Sequence, residues 1–362
     1  MQPPLPAVIM QSNMTASTFS TPPSIPEINH TTSSNRPHST LSQRYRNLPV
    51  DPSIPVIPIA SFLSNPPRPG RRSRKNPVDQ QPARSYGDPI IQKSEDSIRL
   101  FFQNVKGLSS SANSEDNRYY LNCLQSLQVD ISGMAETNTC CQHPHLRADF
   151  SNVTRRLYRQ SKVVYGSPSQ ECDPTPVNES FQSGGTVTLV TGSLVSRIQG
   201  SDIQDSSGLG RWTGVTLCGV NGNKLTIITA YRVCSGSVKS APLGSAYARE
   251  HEFFKQRHPN QAINPRLLFL RDIEHTILEL QEKEHAVILM LDANATHSSD
   301  PQFSTFIDNC SLHDLHSVDP ANSTYIGADD RRIDFILGCP KALQHLHRSG
   351  TLAYTEGPQS DH

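Results

Sequence analysis

The stretch AVILMLDAN, residues 286–294, decides the fold. Its first six residues are an unbroken apolar run, which reads as a strand buried on both faces. Asp292 stands where that strand ends, and Asn294 follows two residues later. Immediately upstream, Asn264 and Pro265 supply an N-cap and a proline at the first helical position. Leu267, Leu270, Ile273 and Ile277 then recur with helical period to about residue 284. A helix therefore delivers the chain into a doubly covered strand.

Working outward, SIRLFFQNV (residues 97–105) reads as a strand ending at Asn104, with Gly107 marking the turn after it. Ser114 is an N-cap candidate for a helix to Gln128 whose apolar stripe is Tyr120, Leu124 and Leu127. A short strand over residues 129–135 ends at Glu136. Apolar runs over residues 185–190, 212–218 and 225–231 follow, and Asn221-Gly222 between the last two is a strong hairpin signal. In residues 331–337 the period of two sets Ile333, Phe335 and Leu337 on one face and Asp334 on the other. Residues 140–180 read as an irregular surface excursion, and residues 235–261 as a polar insertion with no assigned role. Hairpins together with fully buried strands and helices predict two packed mixed sheets flanked by helices.

The start of the chain is different in kind. Residues 1–95 hold 17 of the 28 prolines with many Ser and Thr, and carry almost no periodic apolar pattern. Such a segment cannot bury enough surface to offset chain entropy and is expected to be disordered, leaving residues 96–362 as the folded domain. The formal net charge of zero conceals a basic tail and an acidic remainder, so nucleic acid stays open as a partner. Arg68, Arg71, Arg72, Arg74 and Lys75 form the densest basic run; it reads equally as a phosphate-attracting or nuclear-localisation arm and as a solvated linker. No run approaches eighteen apolar residues and the first residues lack the pattern of a secretory signal, so the expectation is an intracellular address, the nucleus included, with no membrane contact and no obligate protein partner. Eight cysteines without regular spacing argue for reduced thiols. Cys140, Cys141, His143 and His145 invite a zinc reading, which adjacent cysteines disfavour.

Acidic and amide residues stand at strand ends throughout: Asn104 in FFQNVKGL, Glu136 in ISGMAETN, Tyr231 in IITAYRV, Asp292 and Asn294 in LDAN, Asp334 in RRIDFIL, then Asp361 and His362. Singly, each has an ordinary reading as a turn, cap or packing residue. Together, in this order, they resemble the endonuclease/exonuclease/phosphatase superfamily, and most nearly the endonuclease domains of LINE-type (non-LTR) retrotransposons. The resemblance implies a four-layer α/β sandwich and a metal-dependent phosphodiesterase, foremost a DNA-nicking endonuclease. It implies Glu136, Asn104 and Asp361 as ligands of Mg2+ or Mn2+, and hard oxygen donors without thiolates suit those ions. Asp292 and Asn294 would orient and deprotonate the water, Tyr231 would donate to the phosphate, and His362, held by Asp334, would donate to a phosphate oxygen. The family continues past its Ser-Asp-His into a core strand, so the chain reads as C-terminally truncated, with an unpaired edge expected. Lys106 stands where many relatives carry a further acid. DNA is the expected partner, with RNA as the alternative. The competing readings are an inactive nucleic-acid-binding remnant and a phospholipid or RNA phosphodiesterase of the same superfamily. Arg211 and Trp212 are candidates for nucleic-acid contact, against ordinary strand packing.

Overall fold

The computed structural model describes residues 85–109, 114–141, 143–169, 172, 180–234, 244–316, 324, 331–353, 356–358 and 360. Strands β1 (Tyr86–Gly87) and β2 (Leu100–Asn104) lead into helix α1 (Glu115–Ser126), strand β3 (Ile131–Ala135), helix α2 (Pro144–Leu157) and strands β4 (Ser161–Gly166) and β5 (Thr186–Thr191). Next come β6 (Ile203–Gln204), β7 (Trp212–Cys218), β8 (Lys224–Tyr231), α3 (Ala246–Arg257), α4 (Pro265–Glu282) and β9 (Ala286–Asp292). Helix α5 (Pro301–Asn309), β10 (His313–Asp314), β11 (Asp334–Gly338), α6 (Pro340–Leu343) and β12 (Gly350–Thr351) complete the described elements.

Two mixed sheets carry the molecule. One is six-stranded in the order β10-β11-β9-β8-β7-β6, the other four-stranded in the order β2-β3-β5-β4. They pack face to face: Thr188 and Thr229 share a hydroxyl hydrogen bond of 2.8 Å across the gap, and a Cβ on Gly133 would stand 2.7 Å from both Met290 Cε and Thr229 Oγ1. On the outer face of the smaller sheet, Met134, Val187 and Leu189 join Tyr120, Leu121 and Leu124 of α1 and Phe150 and Val153 of α2. On the outer face of the larger sheet, Trp212 meets Phe269 of α4 edge to face at 5.9 Å, and Phe335 meets Phe303 of α5 at 5.2 Å. The result is the expected four-layer α/β sandwich. Every residue of β9 is buried, as an apolar strand covered on both sides must be, and each large side chain so covered contributes about 1.5–3 kcal/mol.

Local signals account for the ends of elements. Ser114 Oγ accepts from Asn117 N at 3.1 Å and starts α1. Asn264 Oδ1 accepts from Arg266 N and Leu267 N and starts α4. Asn221 and Gly222 both take positive φ, 58° and 76°, the backbone that a tight β7–β8 hairpin requires.

Several expectations are corrected. Within the expected excursion of residues 140–180, 143–169 are regular: α2 buries Leu146, Phe150 and Val153, and β4 pairs with β5, while 142, 170, 171 and 173–179 lie outside the described residues. The insertion of residues 235–261 holds α3, while 235–243 lie outside the described residues. The tail expected over residues 1–95 lies outside them as far as residue 84; beyond that, β1 pairs with β12 and Lys93 Nζ binds Asp130 at 2.6 Å. Arg211 and Trp212 cannot meet a nucleic acid, because both are buried. The Arg211 guanidinium stands over the Trp212 ring and binds Asp205 at 2.8 Å and Asp272 at 2.9 Å. Strand β2 is an edge of its sheet, and its own Leu100, Phe101 and Phe102 are half-buried. The segment near the C-terminus crosses there: Gln103 Nε2 donates to Pro358 O at 2.9 Å and Ser360 Oγ to Asn104 O at 2.6 Å.

Candidate active site

Strands β2 and β3 are parallel, as are β8 and β9. In both sheets the carboxyl ends of these strands open at one end of the sandwich, where Asn104, Glu136, Tyr231 and Asp292 meet. Because side chains alternate along a strand, Tyr231 and Asp292, paired in register, project together from the face turned toward the smaller sheet. Asp334 is the antiparallel partner of Asp292 and shares that face.

Asn104 joins the two sheets. Its Nδ2 donates to Glu136 Oε2 at 2.9 Å and to Asp292 Oδ2 at 2.8 Å, while its Oδ1 accepts from Lys106 N at 2.9 Å. Two carboxylates thus share one amide donor at a point where Asp292 is 0 % exposed. Like charges held so closely are costly unless a cation or protons neutralise them. Asn138 Nδ2 reaches Glu136 Oε1 at 3.4 Å, and its Oδ1 accepts from Gly184 N at 2.8 Å. Lys106, Glu136, Asn138 and Asn294 all take positive φ, 47–53°. Such backbones cost roughly 1–3 kcal/mol each and collect at functional sites, where surrounding structure holds them in place.

The turn after β9 is braced from below. Asp292 Oδ1 accepts from Asn294 N at 3.0 Å, Arg232 N donates to Asp292 O at 2.9 Å, and Asn294 Nδ2 donates to Arg232 O at 2.8 Å. The Cys234 thiol donates to Asn294 Oδ1 at 3.1 Å. Asp300, at the N-cap of α5, accepts from Arg232 at 2.9 Å and from Arg266 at 3.3 Å, and Arg266 also donates to Asn294 O at 3.2 Å. Burial, then the neighbouring Arg266, lowers the Arg232 guanidinium to about 10. Burial, followed by the charges of Glu136, Cys234 and Asp292, pushes the Tyr231 phenol well above its ordinary value, so at neutral pH this hydroxyl keeps its proton and can donate.

The structure therefore brings together Asn104, Glu136, Tyr231, Asp292 and Asn294, with Asp334 at the adjoining strand end. Asp361 and His362 lie outside the described residues. Among the described residues no group of three or more His, Cys, Asp and Glu side chains is placed to hold a metal ion. Cys140 and Cys141 are buried free thiols, and burial pushes the Cys141 thiol up to about 12. For a hard divalent cation the donor chemistry does fit: Glu136 and Asp292 offer carboxylate oxygens at one point, and water completes the shell of such ions.

Asn138, Arg232, Arg266 and Asp300 were not legible as site residues. Each acts through a partner distant in sequence or through a left-handed backbone, which no local pattern announces. Among the described residues, no helix is long and apolar enough to cross a membrane.

No family model matches the chain, and no curated protein matches it. Solved structures similar to it include the endonuclease domain of TRAS1, a telomere-specific non-LTR retrotransposon, at 11 % identity over 68 % of this chain and 87 % of that one, TM-score 0.41. The AP endonuclease LMAP from Leishmania major is similar at 13 % identity over 74 % and 83 %, TM-score 0.46. The human nocturnin catalytic domain, with a bound sulfate anion, is similar at 14 % identity over 67 % and 82 %, TM-score 0.43.

Proposed function

We propose that this chain is a divalent-metal-dependent phosphodiesterase of the endonuclease/exonuclease/phosphatase kind, and that its substrate is DNA, nicked in one strand. The observation that carries the reading is the Asn104 amide shared between Glu136 and Asp292. Two acids from different sheets are held at one buried point, an arrangement that serves charge neutralisation at a phosphate better than it serves stability.

Glu136 and Asn104 would hold Mg2+ or Mn2+, with Asp361 as the further ligand that the family resemblance implies. When bound, the ion would neutralise charge developing on the phosphate oxygens. Asp292, whose other oxygen accepts from Asn294 N, would accept a proton from the attacking water, and Asn294 would help to orient that water or the phosphate beside it. Tyr231 remains a protonated donor in this acidic setting and would hydrogen-bond a non-bridging or leaving oxygen. Asp334 would hold one ring nitrogen of His362, favouring the imidazolium that donates to phosphate.

Plasmid nicking tests this reading. With Mg2+ the wild type converts supercoiled to open-circular DNA, EDTA stops the conversion, and Asp292→Ala lowers the rate by about 100-fold or more. Binding without nicking would replace the reading with an inert nucleic-acid binder, and turnover of phospholipid in place of DNA would move it to the lipid branch.

A further inference from the structure

One wall of the cleft is a two-stranded ribbon. Cys140 N donates to Ser180 O at 2.9 Å, Asn138 N to Gly184 O at 2.8 Å and Thr137 N to Gly185 O at 3.2 Å, with Thr139 and Phe181 bridged between them. Because Asn138 also touches Glu136, this ribbon is continuous with the paired carboxylates.

Two side chains on this wall have no task in the chemistry described above. Phe181 is 59 % exposed, the most exposed large apolar side chain among the described residues. Arg249 leans in from α3: its Nη1 donates to Ser183 Oγ at 3.2 Å, and Ser183 Oγ in turn donates to Gly244 O at 2.7 Å. A Cβ on Gly184 would stand 3.5 Å from Arg249 Nη2 and 3.5 Å from Tyr231 Cε1. The guanidinium and the Tyr231 ring thus flank the same glycine, whose φ of 83° suits a residue without a side chain. The Tyr231 ring and the guanidinium therefore meet the same strand of the ribbon that carries the exposed Phe181, three residues before Gly184.

We propose that Phe181 and Arg249 form a binding rim for one unpaired nucleotide beside the scissile phosphate, Arg249 holding the neighbouring phosphate and Phe181 stacking on its base. The inference rests on the nuclease reading above and narrows its substrate to a nucleic-acid strand that is single or locally opened. A base inside a duplex is already stacked on both faces, so an aromatic platform rewards the base that is not. Stacking needs no particular base identity, so the rim selects strand state rather than sequence.

Equilibrium binding in EDTA tests this with no turnover. Labelled DNA oligonucleotides, one single-stranded, one duplex with a short bubble and one fully paired, are titrated with the full chain. The wild type should bind the first two more tightly than the paired duplex. Phe181→Ala should lose roughly 5–100-fold in affinity for them and little for the duplex, while Phe181→Trp keeps the preference. Arg249→Ala should lower the slope of log affinity against log salt by about 0.7 on single strands, and Arg249→Lys should keep it. Equal affinities for the three DNAs, or Phe181→Ala indistinguishable from wild type on the bubble, would overturn the proposal. So would anionic phosphatidylserine vesicles competing through Phe181. A chain that binds through this rim yet never nicks plasmid refutes the hydrolase and leaves the rim standing; one that nicks paired DNA without any effect of Phe181→Ala does the reverse.

Discussion

Asn104 is the residue on which the cleft turns, since its one Nδ2 atom joins the two sheets through Glu136 and Asp292. In Asn104→Ala the fully buried Asp292 loses one of its donors, and a hydrogen bond to a charged group contributes about 1.5–3 kcal/mol. The variant should therefore show a lower urea midpoint in EDTA as well as slower nicking, by about 100-fold; an unchanged midpoint would show that the amide is not holding the carboxylates. Asn104 was legible because it ends an apolar strand at a turn. Its bond to Asp292 spans 188 positions, and no reading of either neighbourhood reveals a distance of that kind.

At the scale of elements, α3 shows how a buried charge hides a helix. Its core positions include Ala246, Glu250, Phe253 and Phe254, so an acid stands where periodicity asks for an apolar residue, and the segment reads as a polar insertion. Burial raises the Glu250 carboxyl to about 7, with Arg211 and Arg249 opposing the rise. A folded-state pKa above the unfolded one means that folding takes up a proton. The stabilisation from the neutral form is complete below about 4.5 and is lost as pH rises through about 7. Glu250→Gln, a mimic of the neutral acid, should match the wild type near pH ~4 and exceed it at pH ~8 by on the order of 3 kcal/mol. Urea midpoints at the two pH values measure this, and parallel pH profiles for the two proteins would refute it. Helix α2 is hidden for a different reason: Pro144 at its first turn and the stripe of Leu146, Phe150 and Val153 are both in the sequence, but the flanking polar residues and the Cys-His cluster have the composition of a loop.

Across the whole molecule, two sheets press their acid-bearing strand ends together, and that assembly should respond to metal as a unit. An ion that binds only the folded form stabilises it by about 2.7 kcal/mol at one hundred times its Kd. Mg2+ or Mn2+ should accordingly raise the Tm above its value in EDTA, and the increment should vanish in the double variant Glu136→Gln, Asp292→Asn. A Tm indifferent to metal in the wild type would count against an ion between these acids. By itself the sequence determined the layered α/β class, the limits of β7, β8, β9 and α4, and which polar residues end strands. Those are properties of periods, caps and turns, which act over a few residues. Tertiary structure alone decided that Trp212 and Arg211 face inward, that α3 lies against the cleft, and that Glu136 and Asp292 share one amide. Those depend on which strands become neighbours in space, and that choice is made by burial of the whole core rather than by any segment of it.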